Sequence, residues 1–137
     1  MPQISPRDVE ARALEIYNAH DLDAYEEVYA SDIEVIGFGY RFTSVEQFKE
    51  VGRLYFASMP DITLSILFET YNDDYATIHW RMAGTLAQPM FGIEPGKTID
   101  ITGAYIDHIV DGKIVQRRAF WDSTGMLVQG GLITTPW

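Results

Sequence analysis

The chain reads as an α+β domain with helices first and an antiparallel β meander after them. Three observations predict this. Before Pro60, apolar residues recur at helical spacing, as in Val9, Ala13, Ile16 and Tyr17. After Pro60 the pattern changes to alternation, as in Ile62, Leu64, Ile66 and Phe68. Near the C-terminus, Asp111-Gly112 separates two runs rich in β-branched and aromatic residues. That dipeptide marks a two-residue hairpin, because a type I′ turn needs φ > 0 at both central positions. Helices packed on one face of a curved sheet are the architecture that accommodates this order.

The elements follow in sequence. Ser5 caps a first helix, Pro6 occupies its first turn, and Asp8 meets the positive end of the helix dipole. This helix runs to His20, and a second short helix over Leu22–Ala30 follows, capped by Asp21. Ile33–Phe38 reads as a strand, with a bend at Gly37 to Gly39. Ser44 with Gln47 three residues on is a capping box, opening a helix that continues to about Ser58. Asp61–Tyr71 and Tyr75–Leu86 are strands joined by a turn at Asn72 to Asp74. Ala87–Lys97 is a longer loop, and the hairpin of Ile99–Val110 and Lys113–Trp121 comes last. Glycines at 125, 130 and 131 break up the tail, where Met126–Val128 packs as a short turn.

The hairpin carries the functional signal. A two-residue turn sets Val110 against Lys113, Asp107 against Gln116, Tyr105 against Arg118 and Gly103 against Phe120. Strand side chains alternate, so Tyr105, Asp107, Gln116, Arg118, Phe120 and Asp122 are expected on one face. Aromatics mixed with convergent polar groups suit a ligand pocket better than a plain core. The opposite face, with Ala104, Ile106, His108, Val115, Arg117, Ala119 and Trp121, is also mixed, so alternation alone does not say which is interior.

Composition narrows the function classes. At 137 residues the chain is expected to be one domain, 1–137, burying roughly 70% of its unfolded surface. A net charge of −10 argues against nucleic acid or an anionic membrane as partner. Acidic residues crowd the N-terminal third, Glu10 and Glu15 among them, and read as a solvated helical surface. A calcium loop there would need a glycine and a later bidentate glutamate that the Asp21–Asp23 segment lacks. There is no cysteine, and His20, His79 and His108 are scattered at spacings no zinc motif uses, so no metal is expected. His79 alternates away from Ile78, Trp80 and Met82, His108 reaches the Asp122 face only through a β-bulge, and His20 ends a helix. Gly37 to Gly39 lacks the further glycine and helix of a phosphate-binding loop. The first six residues lack the pattern of a secretory leader, and no apolar run approaches the ~18 residues of a membrane span. Cytoplasmic residence is the expectation.

The order of elements, the FGIEPGK run at 91–97, the DGKIV turn at 111–115 and Asp122 together resemble the SnoaL-like family, over nearly the whole chain. The resemblance implies the nuclear-transport-factor-2-like fold, a cone of curved antiparallel sheet closed by N-terminal helices around a deep pocket. It implies a cofactor-independent cyclase acting on a hydrophobic, oxygenated polyketide-type substrate. Homodimerisation through the outer sheet face, with Trp121 and Ile106, is expected whichever function the chain has. In the cyclases an aspartate about nine residues after the turn lysine acts as acid/base, which here is Asp122. The chain departs from the family at Gln116 and Arg118, where Glu and Trp are frequent, and at Leu86, where a histidine is frequent.

Each residue has two readings. Asp122 is a general acid/base, or it caps the turn of Ser123, Thr124 and Gly125. Arg118 stabilises a developing oxyanion, or it pairs diagonally with Asp107. Tyr105 and Tyr17 hydrogen-bond a substrate carbonyl, or they pack in the core. Trp80, Phe91 and Phe120 are expected as aromatic walls, with Asp107 and Gln116 as polar contacts. Two other functions fit the same residues: an epoxide hydrolase using the same acid/base set, and a non-catalytic ligand-binding or dimerisation module.

Overall fold

A computed structural model describes residues 4–137; Met1 to Gln3, on which the expectation of no leader partly rests, lie outside the described residues. Helix α1, Pro6–Asn18, starts as expected, with the Ser5 hydroxyl accepting from the Asp8 amide at 3.2 Å. The acidic segment after it is a 3₁₀ turn, Leu22–Glu27, rather than an α-helix, and Asp21 makes no side-chain cap. It ends early because Tyr29 and Ala30, expected to finish a helix, already belong to strand β1, Tyr29–Ile36. After a two-residue β2, Arg41–Phe42, helix α2 spans Val45–Ser58. Its start is fixed from both sides: Ser44 Oγ accepts from the Gln47 amide, and Gln47 Oε1 accepts from the Thr43 amide at 2.8 Å.

Strands β3 (Thr63–Tyr71), β4 (Tyr75–Thr85), β5 (Thr98–Val110) and β6 (Lys113–Trp121) form the expected meander. The tail contributes a helix, α3, Ser123–Gln129, longer than the short turn read from its glycines. The six strands form one curved, open sheet in the order β2-β1-β6-β5-β4-β3. All neighbours are antiparallel except β1 and β6, which run parallel. Helices α1 and α2 pack on the concave side. There the inward residues of β4 (Ala76, Ile78, Trp80, Met82) meet Val9, Ala13 and Ile16 of α1 and Phe48 and Tyr55 of α2 in one core.

One register shift decides the site. Val110 faces Lys113 and Ile109 faces Ile114, as a two-residue turn requires, but His108 then faces Gln116, leaving one extra residue in β6. From there on Asp107 faces Arg117, Ile106 faces Arg118, Tyr105 faces Ala119 and Gly103 faces Trp121. A one-residue slip moves every later side chain to the other face. Tyr105 and Asp107 therefore stay inward, while Arg117, Ala119 and Trp121 replace Gln116, Arg118 and Phe120 as their neighbours. The β1 pairing shows the same irregularity, passing from Tyr29–Ile114 to Glu34–Gln116.

Two glycines permit the close approaches around this seam. A Cβ on Gly37, whose φ is +131°, would lie 2.0 Å from the Ala119 carbonyl oxygen. A Cβ on Gly103 would lie 2.3 Å from the Trp80 ring. Gly103 thus makes the space that Trp80 fills, and Gly37 lets the β1–β2 bend lie on β6, where its carbonyl accepts from Trp121 Nε1.

Candidate active site

The inward face of the hairpin builds a buried ion pair. Arg117 Nε donates to Asp107 Oδ1 at 2.9 Å and Nη2 donates to Oδ2 at 2.8 Å, a fork-to-fork contact. Nη1 donates to the Tyr29 hydroxyl at 3.1 Å, and the guanidinium lies over the Tyr105 ring, 3.8 Å from its centroid. Asp107 is 0% exposed and Arg117 3%. Burial opposes the charge on Arg117, yet Asp107, Tyr29 and Tyr105 together hold its pKa well above the ordinary value. The cation is permanent.

A second carboxyl approaches from α1. Glu10, 8% exposed, has Oε2 3.8 Å from Arg117 Nη2, and its Oε1 has no hydrogen-bond partner among the described residues. Burial, then the charge of Asp107 and hydrogen bonding with its carboxylate, push its pKa up to about 10 from an ordinary 4.5; Arg117 pulls the other way but less, and Glu69 adds to the rise. Glu10 therefore carries a proton at neutral pH. The folded state holds that proton more tightly than the unfolded chain, so its contribution to stability is complete below the unfolded pKa and is lost as pH rises towards about 10. The melting temperature should fall between mildly acidic and alkaline pH, with one proton contributing at most about 1.4 kcal/mol per pH unit. Glu10→Gln should flatten that dependence in thermal melts across the range; an unchanged slope would mean that Glu10 ionises normally.

Above the ion pair lies a narrow aromatic cavity. Tyr17, Tyr25, Tyr29, Tyr55, Tyr105, Trp80 and Trp121 wall it, with Phe38, Phe48 and Arg117. The space beside these walls is about 570 Å³, part of it open to solvent, and about 40 Å³ of it is open to the centre of a water molecule. Burial raises the phenol of Tyr17 well above its ordinary pKa, and Tyr105, Tyr25, Tyr55 and Tyr29 add to the rise, so these hydroxyls share one space. All are neutral donors. Trp80 Nε1 is buried with no partner among the described residues. No carboxylate lines the cavity among the described residues.

The residues expected from the sequence divide between this cavity and the surface. Tyr17, Trp80 and Tyr105 line it, and Asp107 anchors its cation. Gln116, Arg118 and Phe120 do not share their face: the β6 bulge turns them outward. Gln116 Nε2 donates to Glu34, Arg118 is exposed, and Phe120 is 56% exposed. The pairing foreseen between Arg118 and Asp107 belongs to Arg117 instead. Asp122, also past the bulge, is exposed, and its Oδ1 accepts from the Gly125 amide at 2.8 Å as the N-cap of α3. The capping reading describes its position. Phe91 stands exposed outside the wall, against Tyr55 and Trp121. His108 stacks on Tyr75 on the outer face, His79 is exposed, and His20 lies on Phe56 with Nε2 3.1 Å from the Ile62 carbonyl.

Sequence reasoning missed Arg117, Tyr29 and Glu10. The signal for Glu10 was present: it precedes Ala13 and Tyr17 by three and seven positions, on the inner stripe of α1. Among the described residues no cluster of histidine and carboxylate side chains could hold a metal ion, and no helix is long and apolar enough to cross a membrane.

The family model of the SnoaL-like polyketide cyclases matches residues 7–130. The chain belongs to the SnoaL-like polyketide cyclase family. Solved structures agree in fold with this SnoaL-like chain. TsrD from Streptomyces laurentii is 19% identical with a TM-score of 0.86, over 97% of this chain and 99% of its own. IdmH from Streptomyces antibioticus, a proposed polyketide cyclase, is 24% identical with a TM-score of 0.83, over 93% and 99%. A SnoaL-like polyketide cyclase from Agrobacterium tumefaciens is 12% identical with a TM-score of 0.80, over 92% and 98%. At such identities the likeness establishes the shared α+β fold and nothing finer. A comparison with curated protein sequences gives no significant match.

Proposed function

We propose that this SnoaL-like protein is a cofactor-independent cyclase that closes a ring in a hydrophobic, oxygenated polyketide-type substrate by polarising a carbonyl. The observation that carries the reading is the buried Arg117, locked by Asp107 and stacked on Tyr105, at the floor of a cavity walled by neutral phenols. A fixed cation in a water-poor site stabilises negative charge developing on a substrate oxygen without reorganising. Tyr17, Tyr105 and Trp80 supply neutral donors for the same oxygen or a neighbouring one. With no carboxylate on the wall, the nucleophile fitting this site is an enol carbon, which a β-dicarbonyl chain already presents. The aromatic walls hold enol and carbonyl together, and that confinement contributes much of the rate of a ring closure. A second copy of the chain would pack on the outer sheet face, where Phe68, Ile106 and Phe120 are exposed.

Incubation with a synthetic poly-β-ketone thioester tests the reading. The expected product is cyclised and isomeric with, or one water lighter than, the substrate. Asp122→Asn should cyclise it at close to the wild-type rate, since Asp122 lies outside the cavity. An Asp122→Asn protein that binds the thioester but does not cyclise it would return the chemistry to that aspartate. Hydrolysis of an epoxide analogue without any ring closure would replace the cyclase reading by a hydrolase. Binding without turnover of either would leave a ligand-binding module.

A further inference from the structure

The cavity has a back room that this mechanism does not use. On the other side of Tyr17, Tyr29, Tyr105 and Arg117 lies a smaller pocket of about 300 Å³, part of it open to solvent, with about 20 Å³ open to the centre of a water molecule. Those four residues line both spaces, so they are a partition. Glu10, whose buried Oε1 has no partner among the described residues, also lines this pocket. The rest of the lining is apolar: Ala13, Leu14, Leu64, Ile66 and Ile78.

The charges in this corner do not balance if both carboxyls ionise. One guanidinium meets two carboxyls, all three at most 8% exposed. Asp107 takes both bonds of the guanidinium fork, and Glu10 stands off at 3.8 Å. Glu69 on β3 adds further negative potential, partly offset by Arg7, which pairs with it at 2.6 Å and lies over the Tyr71 ring; the other ionisable groups around the corner are the phenols of Tyr29, Tyr105 and Tyr71. Two carboxyls facing one cation in a desolvated site retain a proton between them. Glu10 is the one that lines the smaller pocket, and its Oε1, buried there, makes no hydrogen bond among the described residues. The space suffices for a water, which would find Glu10 and the partition's polar groups as partners.

We infer that Glu10 is the proton carrier of this site, passing its proton through a water in the inner chamber and the partition to the oxygen bound at Arg117. The inference rests on the carbonyl-polarising reading of the outer cavity and adds the source of the proton. In the step, the enol carbon forms the C–C bond and the carbonyl π pair moves onto oxygen. The Glu10 O–H bond breaks, the relay hands one proton on, and a new O–H bond forms on that oxygen. The enol O–H gives up its proton as its C=O forms, and that proton returns to Glu10. Atoms and charge balance with no further reactant. Glu10 acts through water and the partition, so it is a positioning residue for the proton rather than a group touching substrate.

Infrared difference spectroscopy tests this before any natural substrate is known. Wild-type protein at neutral pH should show the carbonyl stretch of a protonated carboxylic acid, missing in Glu10→Gln. Binding of β-naphthol, a flat aromatic phenol matched in chemistry to the aromatic walls, should shift that band, because the relay joins the two pockets. A merely structural Glu10 would give a band indifferent to β-naphthol, and an ionised one would give no band; either result overturns the inference. With the poly-β-ketone thioester, Glu10→Gln should bind normally and turn over about 10²-fold more slowly, with a flattened alkaline limb of the pH profile and partial rescue by Glu10→Asp. Turnover by Glu10→Gln at the wild-type rate and pH profile would sink the relay and leave the cyclase intact. A β-naphthol-sensitive band in a protein that cyclises nothing would sink the cyclase and leave the proton-carrying Glu10.

Discussion

Asp107→Ala should lower the free energy of unfolding by about 3–5 kcal/mol, the cost of removing one partner from a buried ion pair, less what Glu10 returns by ionising 3.8 Å from Arg117 once the Asp107 charge that raises its pKa is gone. Arg117 cannot escape by losing its proton, because a guanidinium stays charged under all conditions in which the fold exists. Nor can it swing out. It is sandwiched against Tyr105, bonded to Tyr29 and 3% exposed, on a strand hydrogen-bonded on both sides. Denaturant unfolding monitored by circular dichroism would give the number. The control is Asp100→Ala, which removes an equally bidentate partner from Arg81 on the outer face. Both groups of that pair are solvent-exposed, so its midpoint should hardly move. Equal midpoints for the two variants would show that the Asp107–Arg117 pair is not desolvated in the way its burial implies.

The fold was legible in the sequence because its signals are local. Ser44 and Gln47 mark where α2 begins, Pro60 closes the segment after it, and Asp111-Gly112 places the hairpin to the residue. The strand at Tyr29 was read as helix for an equally local reason. Leu22–Ala30 has helical spacing, and only the pairing of Tyr29 with Ile114 on β6, a contact across most of the chain, overrides it. The site was half legible. Tyr105 and Asp107 were placed on the correct face because β5 alternates without interruption. Their partners on β6 were not, because a single extra residue after Ile114 inverts the strand, and a bulge leaves no mark when both faces are mixed. Lys113-Ile114 and Ala119 belong to one pattern only once the bulge is counted. The glycine at 37, required over the Ala119 carbonyl, is a clue that acquires meaning only with β1 in place.

The same inversion explains why the cation on the expected face was Arg118 while the one in the cavity is Arg117. Adjacent arginines present identical chemistry on opposite faces, so a register argument is the sole way to choose between them. Glu10 was hidden differently. It sits in a chain with a net charge of −10, where one more carboxylate on an N-terminal helix passes as solubility. Its position on the stripe with Ala13 and Tyr17 outweighs that composition, since a charged residue on an inner helical face is desolvated wherever the helix packs.

Function and stability can be separated at the ion pair itself. The double variant Asp107→Leu/Arg117→Met removes both charges and fills their volume with apolar atoms. Replacing a complete buried pair in this way is often neutral or stabilising, by 1–4 kcal/mol where it has been examined. The double variant should therefore fold and melt near the wild-type temperature, unlike Asp107→Ala. It should also cyclise the poly-β-ketone thioester about 10²–10³-fold more slowly, the usual effect of deleting one preorganised group that stabilises an oxyanion. The loss should fall in kcat rather than KM, because the cation meets full negative charge only as the carbonyl π pair moves onto oxygen. Ground-state binding is expected from the tyrosine and tryptophan walls, which the variant leaves in place. A double variant that is stable and fully active would mean that the pair exists to hold the hairpin to β1, and that cyclisation needs only the shape of the cavity. A stable and inactive one would assign the rate to a cation that the rest of the fold keeps dry and fixed.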